Sequence, residues 1–282
     1  MTIGEAIALG VVQGLTEFLP ISSSGHLKIV PSLLGWGDPG AGFTAVIQLG
    51  TLLAVLIYFR IDISRMVRGV LVGLSSGQPL GNPDAKMAWM IVAATVPIVI
   101  AGLLFKDAIE TWLRTLYVTA TMLILIAIVM GVAEWWHFRR VRRGEPIKSL
   151  DQVTWADSLA VGLAQVIALI PGSSRSGVTI TGALFRNFDR GTAARFSFLL
   201  SLPSIFAAGV YQLYSARHEL LATQESITTL LIATVVSGIV GYASIAFLLG
   251  YLRTRTMGIF IVYRIVLGVV LLVLLSRGMI QP

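Results

Sequence analysis

The chain has 282 residues, of which 56% are hydrophobic and only 12% are charged, and its formal net charge is +7. Soluble domains carry roughly 25% charged residues, so this composition excludes a soluble protein and predicts a single integral-membrane domain. The basic excess lies in short loops, where it fits membrane orientation and anionic lipid rather than nucleic acid. The absence of cysteine excludes disulfides and thiolate chemistry.

Six uncharged stretches have the length of a helix that crosses a bilayer, about 20 residues. In chain order they are 39–59, 87–105, 115–133, 196–216, 226–252 and 256–276, the last interrupted only by Arg264. They predict an all-α polytopic membrane protein with three spans in each half, joined by a polar segment at 142–154. Loop 61–86 is amphipathic in its first half, which predicts an interfacial helix followed by a turn.

Two polar, glycine-rich stretches interrupt the apolar chain and resemble each other. Residues 10–27 read GVVQGLTEFLPISSSGHL, and residues 162–179 read GLAQVIALIPGSSRSGVT. Each runs from Gly-x-x-Gln through apolar residues and a proline to a cluster of serine and glycine. Each cluster holds one cationic or titratable residue, His26 in the first and Arg175 in the second. This similarity predicts two pseudo-repeats, at about 1–141 and 150–282.

Short apolar segments flank both clusters: 3–19 and 27–34 in the first repeat, 158–170 and 178–185 in the second. A half-helix, a polar turn and another half-helix are typical of a re-entrant hairpin. Such a turn is tolerated at membrane depth only inside protein or beside a water-filled cavity. We therefore predict two re-entrant helix hairpins that meet near the midplane. The alternative is a kinked spanning helix with a proline break.

The distribution of Lys and Arg bears on this topology. Three crossings separate the two hairpins, so the hairpins enter from opposite faces and the halves have inverted topology. Fourteen basic residues then share one side, in loops 60–86, 139–148, 186–195 and 253–255. The other side holds five, which are Lys28, Lys106, Arg114, Arg217 and Arg277. The positive-inside rule makes the basic side cytoplasmic, so we expect both termini and the active site to face outward.

Gln13 and Glu17 are spaced i, i+4 and share one face of a helix. A carboxylate at membrane depth is costly and is by default a functional-site hypothesis, with a metal ion, His26 or a cationic group as its partner. The alternative is that Glu17 only pairs with Arg175 or Arg264 and locks the hairpins together.

The first cluster, SSSGH at 22–26, combines hydroxyls with a histidine. Hydroxyls at the start of a half-helix cap its free N–H groups, which is the structural alternative. The same N–H groups, with the helix dipole behind them, also form an anion site. His26 adds a group that can move protons near neutral pH. The predicted phosphate-binding residues here are Ser22, Ser24 and Gly25.

The second cluster surrounds one intramembrane arginine, Arg175. Backbone and hydroxyl donors together with a guanidinium that can bind two oxygens at once suit a phosphate, and glycines let the backbone approach it closely. The predicted phosphate-binding residues here are Ser173, Ser174, Ser176, Gly177 and Thr179. Arg264, in the last span, is a second intramembrane cation that could share the anion. The alternative is that its side chain extends to the cytoplasmic interface.

Both clusters together indicate phosphoryl transfer. A carboxylate that can hold a divalent cation, an arginine clamp and an activated hydroxyl or water are the groups which that reaction needs. An anion reached from within a bilayer is most naturally a lipid phosphate. The alternative function is a transporter or flippase of a polyprenyl phosphate lipid that uses the same anion site, because inverted repeats with midplane hairpins are also a transporter design.

The motif QGLTE at 13–17, SSSGH at 22–26, PGSSRSGVT at 171–179 and FTAVIQLGTLLAV at 43–55 resemble the undecaprenyl-diphosphate phosphatase family, known also for bacitracin resistance. The resemblance covers nearly the whole chain. It implies hydrolysis of undecaprenyl diphosphate to undecaprenyl phosphate and inorganic phosphate at the outer face of the bacterial cytoplasmic membrane, which recycles the carrier lipid for peptidoglycan synthesis.

The same resemblance implies roles for particular residues. Glu17 would handle a metal or a proton, Ser23 would be the nucleophile, His26 the acid or base, and Arg175 the diphosphate clamp. It also implies a divalent cation, Mg²⁺ or Ca²⁺, held by Glu17 and Gln13. The family pattern allows Glu or Gln at position 13, so this chain has one carboxylate fewer than members with Glu there. A phosphoserine intermediate or direct attack by water, and a monomer or a homodimer, all remain open.

Overall fold

The computed structural model describes residues 1–281, which are helical except for turns, loops and one isolated bridge between Lys148 and Phe188. The α-helices of the first half are α1 (Ile3–Phe18), α2 (Ser23–Leu34), α3 (Gly40–Tyr58), α4 (Arg60–Ser75), α5 (Pro83–Leu104), α6 (Lys106–Glu110) and α7 (Leu116–Arg142). Those of the second half are α8 (Trp155–Val166), α9 (Arg175–Phe185), α10 (Arg190–Ser215), α11 (Arg217–Leu220), α12 (Gln224–Leu252) and α13 (Gly258–Ser276).

Six helices are long and apolar enough to cross a membrane: α3, α5, α7, α10, α12 and α13. They correspond to the six spans predicted from the sequence, which confirms that part of the prediction. The third span was predicted to end at Ala133, whereas α7 continues to Arg142. The added residues carry aromatic rings and arginines that contact each other, such as Arg139, whose guanidinium carbon lies 4.6 Å from the centroid of the Trp135 ring. The predicted helix after residue 60 is present as α4.

Two pairs of shorter helices surround the polar clusters. The first pair is α1, with 16 residues, and α2, with 12; the second is α8, with 12, and α9, with 11. Each helix rises 1.5 Å per residue, so even α1 is about 24 Å long and shorter than a hydrocarbon core of roughly 30 Å. Both pairs begin with the same device, a capping box made by Thr2 and Glu5 in α1 and by Thr154 and Asp157 in α8.

The first helix of each pair packs closely on a long helix of the other half of the chain. Helix α1 lies along α12, and α8 lies along α5. A Cβ atom added at Gly10 would lie 2.7 Å from the carbonyl oxygen of Ala233, and one added at Gly162 would lie 2.2 Å from that of Ala94. Only glycine permits these approaches, which are typical of helix packing in membranes. Glycine at these two positions thus allows the close packing of α1 on α12 and of α8 on α5.

The remaining contacts hold the two turns in the centre. Helix α13 packs on α7, α3 packs on α10 and α12, and α9 packs against α7, α8 and α10. The largest buried apolar cluster includes Phe18 at the end of α1, whose ring meets Phe198 edge-on at 5.1 Å between centroids. Large side chains such as Leu104 and Ile239 are mostly exposed on the outer faces of the long helices, as expected where helices contact lipid.

The segment between the halves is fixed to the second pair of helices. Asp157 has no exposed side-chain area and accepts hydrogen bonds from Lys148 at 2.7 Å and from Arg186 at 2.8 Å. Burial alone would raise the pKa of this carboxyl, but hydrogen bonds from Lys148, Thr154 and Arg186 outweigh burial and lower the pKa to about 2. The carboxylate therefore ties the connecting segment to the start of α8 and the end of α9.

Candidate active site

Glu17 lies in the last turn of α1, is buried, and contacts three side chains. One carboxylate oxygen pairs with the guanidinium of Arg175 from the other turn. The second oxygen accepts hydrogen bonds from Gln13 Nε2 at 2.9 Å and from Ser23 Oγ at 2.6 Å. The helix itself sets the contact with Gln13, because the two residues are one turn apart. The structure thus brings together three of the four residues predicted to be catalytic, Glu17, Ser23 and Arg175, with Gln13, a predicted metal ligand.

Ser23 is the first residue of α2, and its orientation follows from the residue before it. Ser22 has φ 79°, in the left-handed region, and its hydroxyl accepts a hydrogen bond from the Gly25 amide at 3.3 Å. Ser22 is therefore the helix cap, as the structural alternative proposed for these serines, and its hydroxyl also lies 3.3 Å from that of Ser24. The cap turns the chain so that Ser23 faces Glu17, while Ser24 stays exposed.

The second turn is built in the same way. Ser174 has φ 70°, and its hydroxyl accepts from the Gly177 amide at 3.1 Å and lies 3.1 Å from that of Ser176. The Ser176 hydroxyl also donates to the carbonyl of Leu19 at 3.2 Å, which joins the second turn to the first. Ser174 and Ser176, predicted to bind phosphate, are therefore also structural groups of the turn.

The shared cap fixes which residues correspond between the turns. With Ser22 equivalent to Ser174, Arg175 stands at the position of Ser23, and His26 corresponds to Val178. The composition of the clusters had suggested that His26 and Arg175 correspond, and the structure corrects this. The guanidinium and the serine hydroxyl stand at equivalent positions of the two turns, and each binds a different oxygen of the Glu17 carboxylate.

His26 lies one turn beyond Ser23 on α2, and both of its ring nitrogens are engaged. Nδ1 lies 2.7 Å from the carbonyl oxygen of Ser22, and Nε2 lies 2.6 Å from the hydroxyl of Tyr263. A carbonyl only accepts, so Nδ1 carries the proton and Nε2 of the neutral ring accepts from Tyr263. These partners differ from the Glu17 partner considered from the sequence. Tyr263 was missed as a site residue, although it stands beside Arg264 in the last span.

Arg264 is completely buried and donates to five backbone carbonyl oxygens. Its acceptors are Pro20 in the first turn at 3.1 Å, Gly172 and Ser173 in the second turn at 2.9 and 3.1 Å, and Met122 and Leu123 of α7 at 3.3 and 3.2 Å. An extension to the cytoplasmic interface is thus wrong. Its contacts make Arg264 a positioning residue that holds both turns against α7, and a share in binding the anion stays a prediction.

Of the other predicted phosphate-binding residues, Thr179 has hydrogen-bond partners and the Ser173 hydroxyl has none among the described residues. The Thr179 hydroxyl lies 2.6 Å from that of Ser197 and donates to the Arg175 carbonyl at 2.7 Å, so it lies between α9 and α10. Ser173 Oγ is buried and has no hydrogen-bond partner among the described residues. Arg175 also donates to Ser204 Oγ at 3.4 Å, a contact that the sequence motifs did not indicate.

The residues present can be tested against the divalent cation that the family resemblance implies. Gln13 Oε1 is buried without a hydrogen-bond partner among the described residues, beside the Glu17 carboxylate that Gln13 Nε2 contacts. No group of three or more His, Asp or Glu suited to a metal occurs in residues 1–281. Mg²⁺ is commonly bound by one or two carboxylates with water and substrate phosphate. One carboxylate and one amide oxygen fit such a site, whereas a cage made by the described residues alone is not present.

An apolar groove of about 530 Å³ opens beside the turns, between α3, α5 and α10. Ser24 of the first turn and Ser204, which contacts Arg175, both line it. Its size falls within the usual range for pockets that bind organic ligands. The groove therefore connects the surface of the protein with the region around Arg175.

The chain is similar to known proteins along nearly its whole length. Residues 6–270 match the family model of the bacitracin resistance protein BacA. A protein named undecaprenyl-diphosphatase from Chlorobium chlorochromatii is 57% identical over 282 residues, covering 100% of both chains. Those of the same name from Prosthecochloris aestuarii and Chloroherpeton thalassium are 57% and 58% identical over 281 residues, covering 100% of this chain and 100% and 99% of their own. The chain belongs to the BacA bacitracin resistance protein family.

Proposed function

We propose that the protein is an undecaprenyl-diphosphate phosphatase, which releases inorganic phosphate and undecaprenyl phosphate for reuse in peptidoglycan synthesis. The observation that carries this proposal is the contact of Ser23 with Glu17, and of Glu17 with Arg175, across the two turns. Full-length relatives at 57–58% identity are named for that activity. Neither the family nor these relatives support the alternative of a transporter or flippase.

The geometry favours attack by a serine. A nucleophile and its base are recognised by a hydrogen bond of about 2.6–3.2 Å, with the base held by a third group. Ser23 Oγ and Glu17 Oε2 are 2.6 Å apart, and Arg175 and Gln13 hold the carboxylate. In the proposed step, the Ser23 oxygen bonds to the terminal phosphorus, its proton passes to Glu17, and the bond to the lipid monophosphate breaks. Water then cleaves the phosphoserine and releases orthophosphate.

Arg175 is proposed to bind the diphosphate oxygens when substrate enters. A guanidinium can bind two phosphate oxygens at once, and its contact with Glu17 places it beside the nucleophile. The charge that develops on the equatorial oxygens in the transition state would be stabilised by this cation, which is the main contribution of protein groups to phosphoryl transfer.

His26 is proposed to exchange the protons that accompany cleavage and hydrolysis. Its ring is held at both nitrogens, by the Ser22 carbonyl and by Tyr263, one turn from Ser23. A histidine changes charge near neutral pH, and Tyr263 can relay a proton to the Nε2 atom. Glu17 and Gln13 would hold a divalent cation, Mg²⁺ or Ca²⁺, which would supply Lewis-acid stabilisation of phosphate oxygens.

We also propose that the two short helix pairs are re-entrant hairpins in inverted repeats, in a multi-pass protein of the bacterial inner membrane. The support is their length, their matching capping boxes and serine caps, and the packing of α1 on α12 and of α8 on α5. The charge count then favours the outer face for the termini and the site. Labelling of cysteines introduced at 107 and 147 tests this, because only position 107 should react from outside.

The function is tested by phosphate release from undecaprenyl diphosphate by purified protein. We expect Ser23→Ala to lower kcat by about 10³-fold or more, as for other nucleophile deletions. Ser32→Ala is the matched control, because this exposed hydroxyl on the same helix only contacts the Lys28 carbonyl. Acid-quenched wild-type protein should carry a phosphoryl group on Ser23.

Two results would contradict these proposals separately. Binding of the lipid without metal-dependent phosphate release would exclude the phosphatase function. A Ser23→Ala variant that retains most of its activity, with no phosphoserine in the wild type, would leave the function standing and replace the serine route by direct attack of water.

A further inference from the structure

We propose that Lys28 and Lys106 form an entry site that binds the phosphates of the lipid before they reach Arg175. This inference rests on the proposed function. Both lysines, together with Arg114, line the apolar groove that Ser24 and Ser204 also line. The proposed occupant is one molecule, a prenyl diphosphate lipid, with its headgroup at the lysines and the first part of its chain along the groove.

The walls of the groove suit the hydrocarbon part of such a lipid. They come from three spans and are made mainly of Ala, Ile, Val and Leu side chains, including Ile98, Leu103 and Ala207. A prenyl chain that enters from the bilayer meets walls about as apolar as the lipid tails that it leaves, so it enters without a desolvation cost. A water-soluble phosphate would gain nothing from these walls, so their composition favours a lipid over free phosphate.

Lys28 stands on the wall of the groove nearest to the first turn. It is one helical turn beyond Ser24 on α2, about 6 Å along the axis. Its ammonium donates to the backbone carbonyl of Arg114, and the Arg114 guanidinium is held in turn by Asp38 at 3.0 Å. An ammonium has three donors, so this contact positions Lys28 and leaves it able to bind a phosphate oxygen.

Lys106 begins the short helix α6 and reaches a different wall. Its ammonium donates to the Tyr211 hydroxyl of α10 at 3.0 Å and lies 5.3 Å from the centroid of that ring. Lys28 is held by the segment before α7 and Lys106 by α10, so the two positive charges come from separate elements. The carboxylate of Asp38 lies in the same region, and its charge is already paired with Arg114.

The distribution of charge over the chain strengthens this inference. By sequence, one side of the membrane carries only five Lys and Arg, and three of those five line this single groove. Basic residues that served only general attraction to anionic lipid would be spread over the surface. Their concentration at one apolar groove, which leads to Ser204 and thus to Arg175, is the pattern of an entry path for an anionic lipid.

An entry site affects capture of the substrate rather than its cleavage, and this can be measured. We expect Lys28→Gln with Lys106→Gln to raise KM for a prenyl diphosphate about tenfold and to leave kcat unchanged, because only hydrogen bonds to a charged group before the reaction are lost. The rise of KM with added salt should also weaken in the double variant. Lys28→Arg should retain the wild-type KM.

Binding supplies a readout that does not depend on hydrolysis. The dissociation constant for farnesyl phosphate, measured on purified protein in nanodiscs, should rise about tenfold in the double variant. Arg277→Gln is the matched control, because Arg277 was assigned to the same side of the membrane and does not line the groove.

The possible results separate the two proposals. Unchanged farnesyl phosphate binding in the double variant would overturn the entry site, whatever the activity. Equal weakening of inorganic pyrophosphate binding would also overturn it, because Lys28 and Lys106 would then bind free phosphate and not a lipid. If the wild-type protein releases no phosphate and the double variant still loses farnesyl phosphate binding, the entry site is supported and the phosphatase function is rejected.

Discussion

The two helix pairs are capped and turned in the same way and carry different side chains around their turns. Both begin with a capping box and turn at a serine with positive φ. The first pair then presents Glu17, Ser23 and His26, and the second presents Leu169, Arg175 and Val178 at the equivalent positions. The shared caps and glycines therefore give both pairs the same turn. The differences at these three positions place the proposed base and nucleophile in the first pair and the proposed phosphate clamp in the second.

The two equivalent glutamines, Gln13 and Gln165, also differ in their contacts. Gln13 of the first pair donates to Glu17 at 2.9 Å. Gln165, its equivalent in the second pair, is fully buried, and neither of its amide atoms has a hydrogen-bond partner among the described residues. The second pair therefore has the glutamine but not its acidic partner, because Leu169 stands at the position equivalent to Glu17. The comparison teaches that similarity between the pairs locates the site, whereas their differences indicate the function of each side chain.

The pairing of Glu17 with Arg175 should give the largest effect. Removing one partner of a buried ion pair costs roughly 3–5 kcal/mol, because the other charge is left uncompensated. We expect Glu17→Leu or Arg175→Met to lower the free energy of unfolding by about that amount and to abolish phosphate release. The double variant should recover most of the stability and none of the activity. A double variant as unstable as the singles would mean that the two charges do not compensate each other.

The glycine contacts should differ in size between the pairs. Gly162→Ala places its Cβ 2.2 Å from a backbone oxygen and Gly10→Ala places its Cβ 2.7 Å from one, so both force helices apart. Overpacking costs about 1–3 kcal/mol, and we expect Gly162→Ala to be the more destabilising in thermal unfolding in detergent. Gly250→Ala is the control, because nothing among the described residues lies within 4 Å of its added Cβ. If Gly10→Ala and Gly162→Ala lowered the thermal stability equally, α8 would not approach α5 more closely than α1 approaches α12.

The capping boxes should differ in their response to pH. Asp157 bonds to Lys148 and Arg186 in addition to its capping contacts, whereas Glu5 is half-buried and bonds to Thr2 of its own capping box. We expect Asp157→Asn to cost about 2 kcal/mol at neutral pH and Glu5→Gln less than about 1. The pKa of Asp157 is lowered from 3.8 to about 2, so its contribution is complete above about pH 4 and is lost as the pH falls towards 2. Unfolding curves of Asp157→Asn and wild type should therefore converge in acid.

The two glutamines should give the smallest effect on stability. Gln165 has no partner for its amide among the described residues, so Gln165→Leu removes an unsatisfied polar group. It should leave the free energy of unfolding within about 1 kcal/mol of wild type, or raise it. Gln13→Leu should lower kcat, because Glu17 loses one of its supporting hydrogen bonds. A large loss of activity in Gln165→Leu would show that Gln165 has a partner in the working enzyme.

The elements that depend on local composition could be predicted from the sequence. Six uncharged stretches of sufficient length indicated the six spans, and the polar breaks indicated the turns together with Glu17 and Arg175, while the role of Ser23 came from the family resemblance. Contacts between distant residues could not be predicted, because they depend on how helices pack. His26 meets Tyr263 across 237 positions, and the carbonyls that surround Arg264 come from three separate segments. The end of α7 was also misjudged, because charged residues do not stop a helix that leaves the membrane.

The contacts of Arg264 have a consequence for the order in which the protein matures during synthesis. The carbonyls of both turns have their common donor on α13, the last long helix to leave the ribosome. Until that helix inserts, the turns lack the cation that holds them at the centre. An unfinished or C-terminally shortened chain would thus reach the membrane with all the residues of the site and no fixed arrangement of them. Insertion of α13 is then the step that fixes the arrangement of the site.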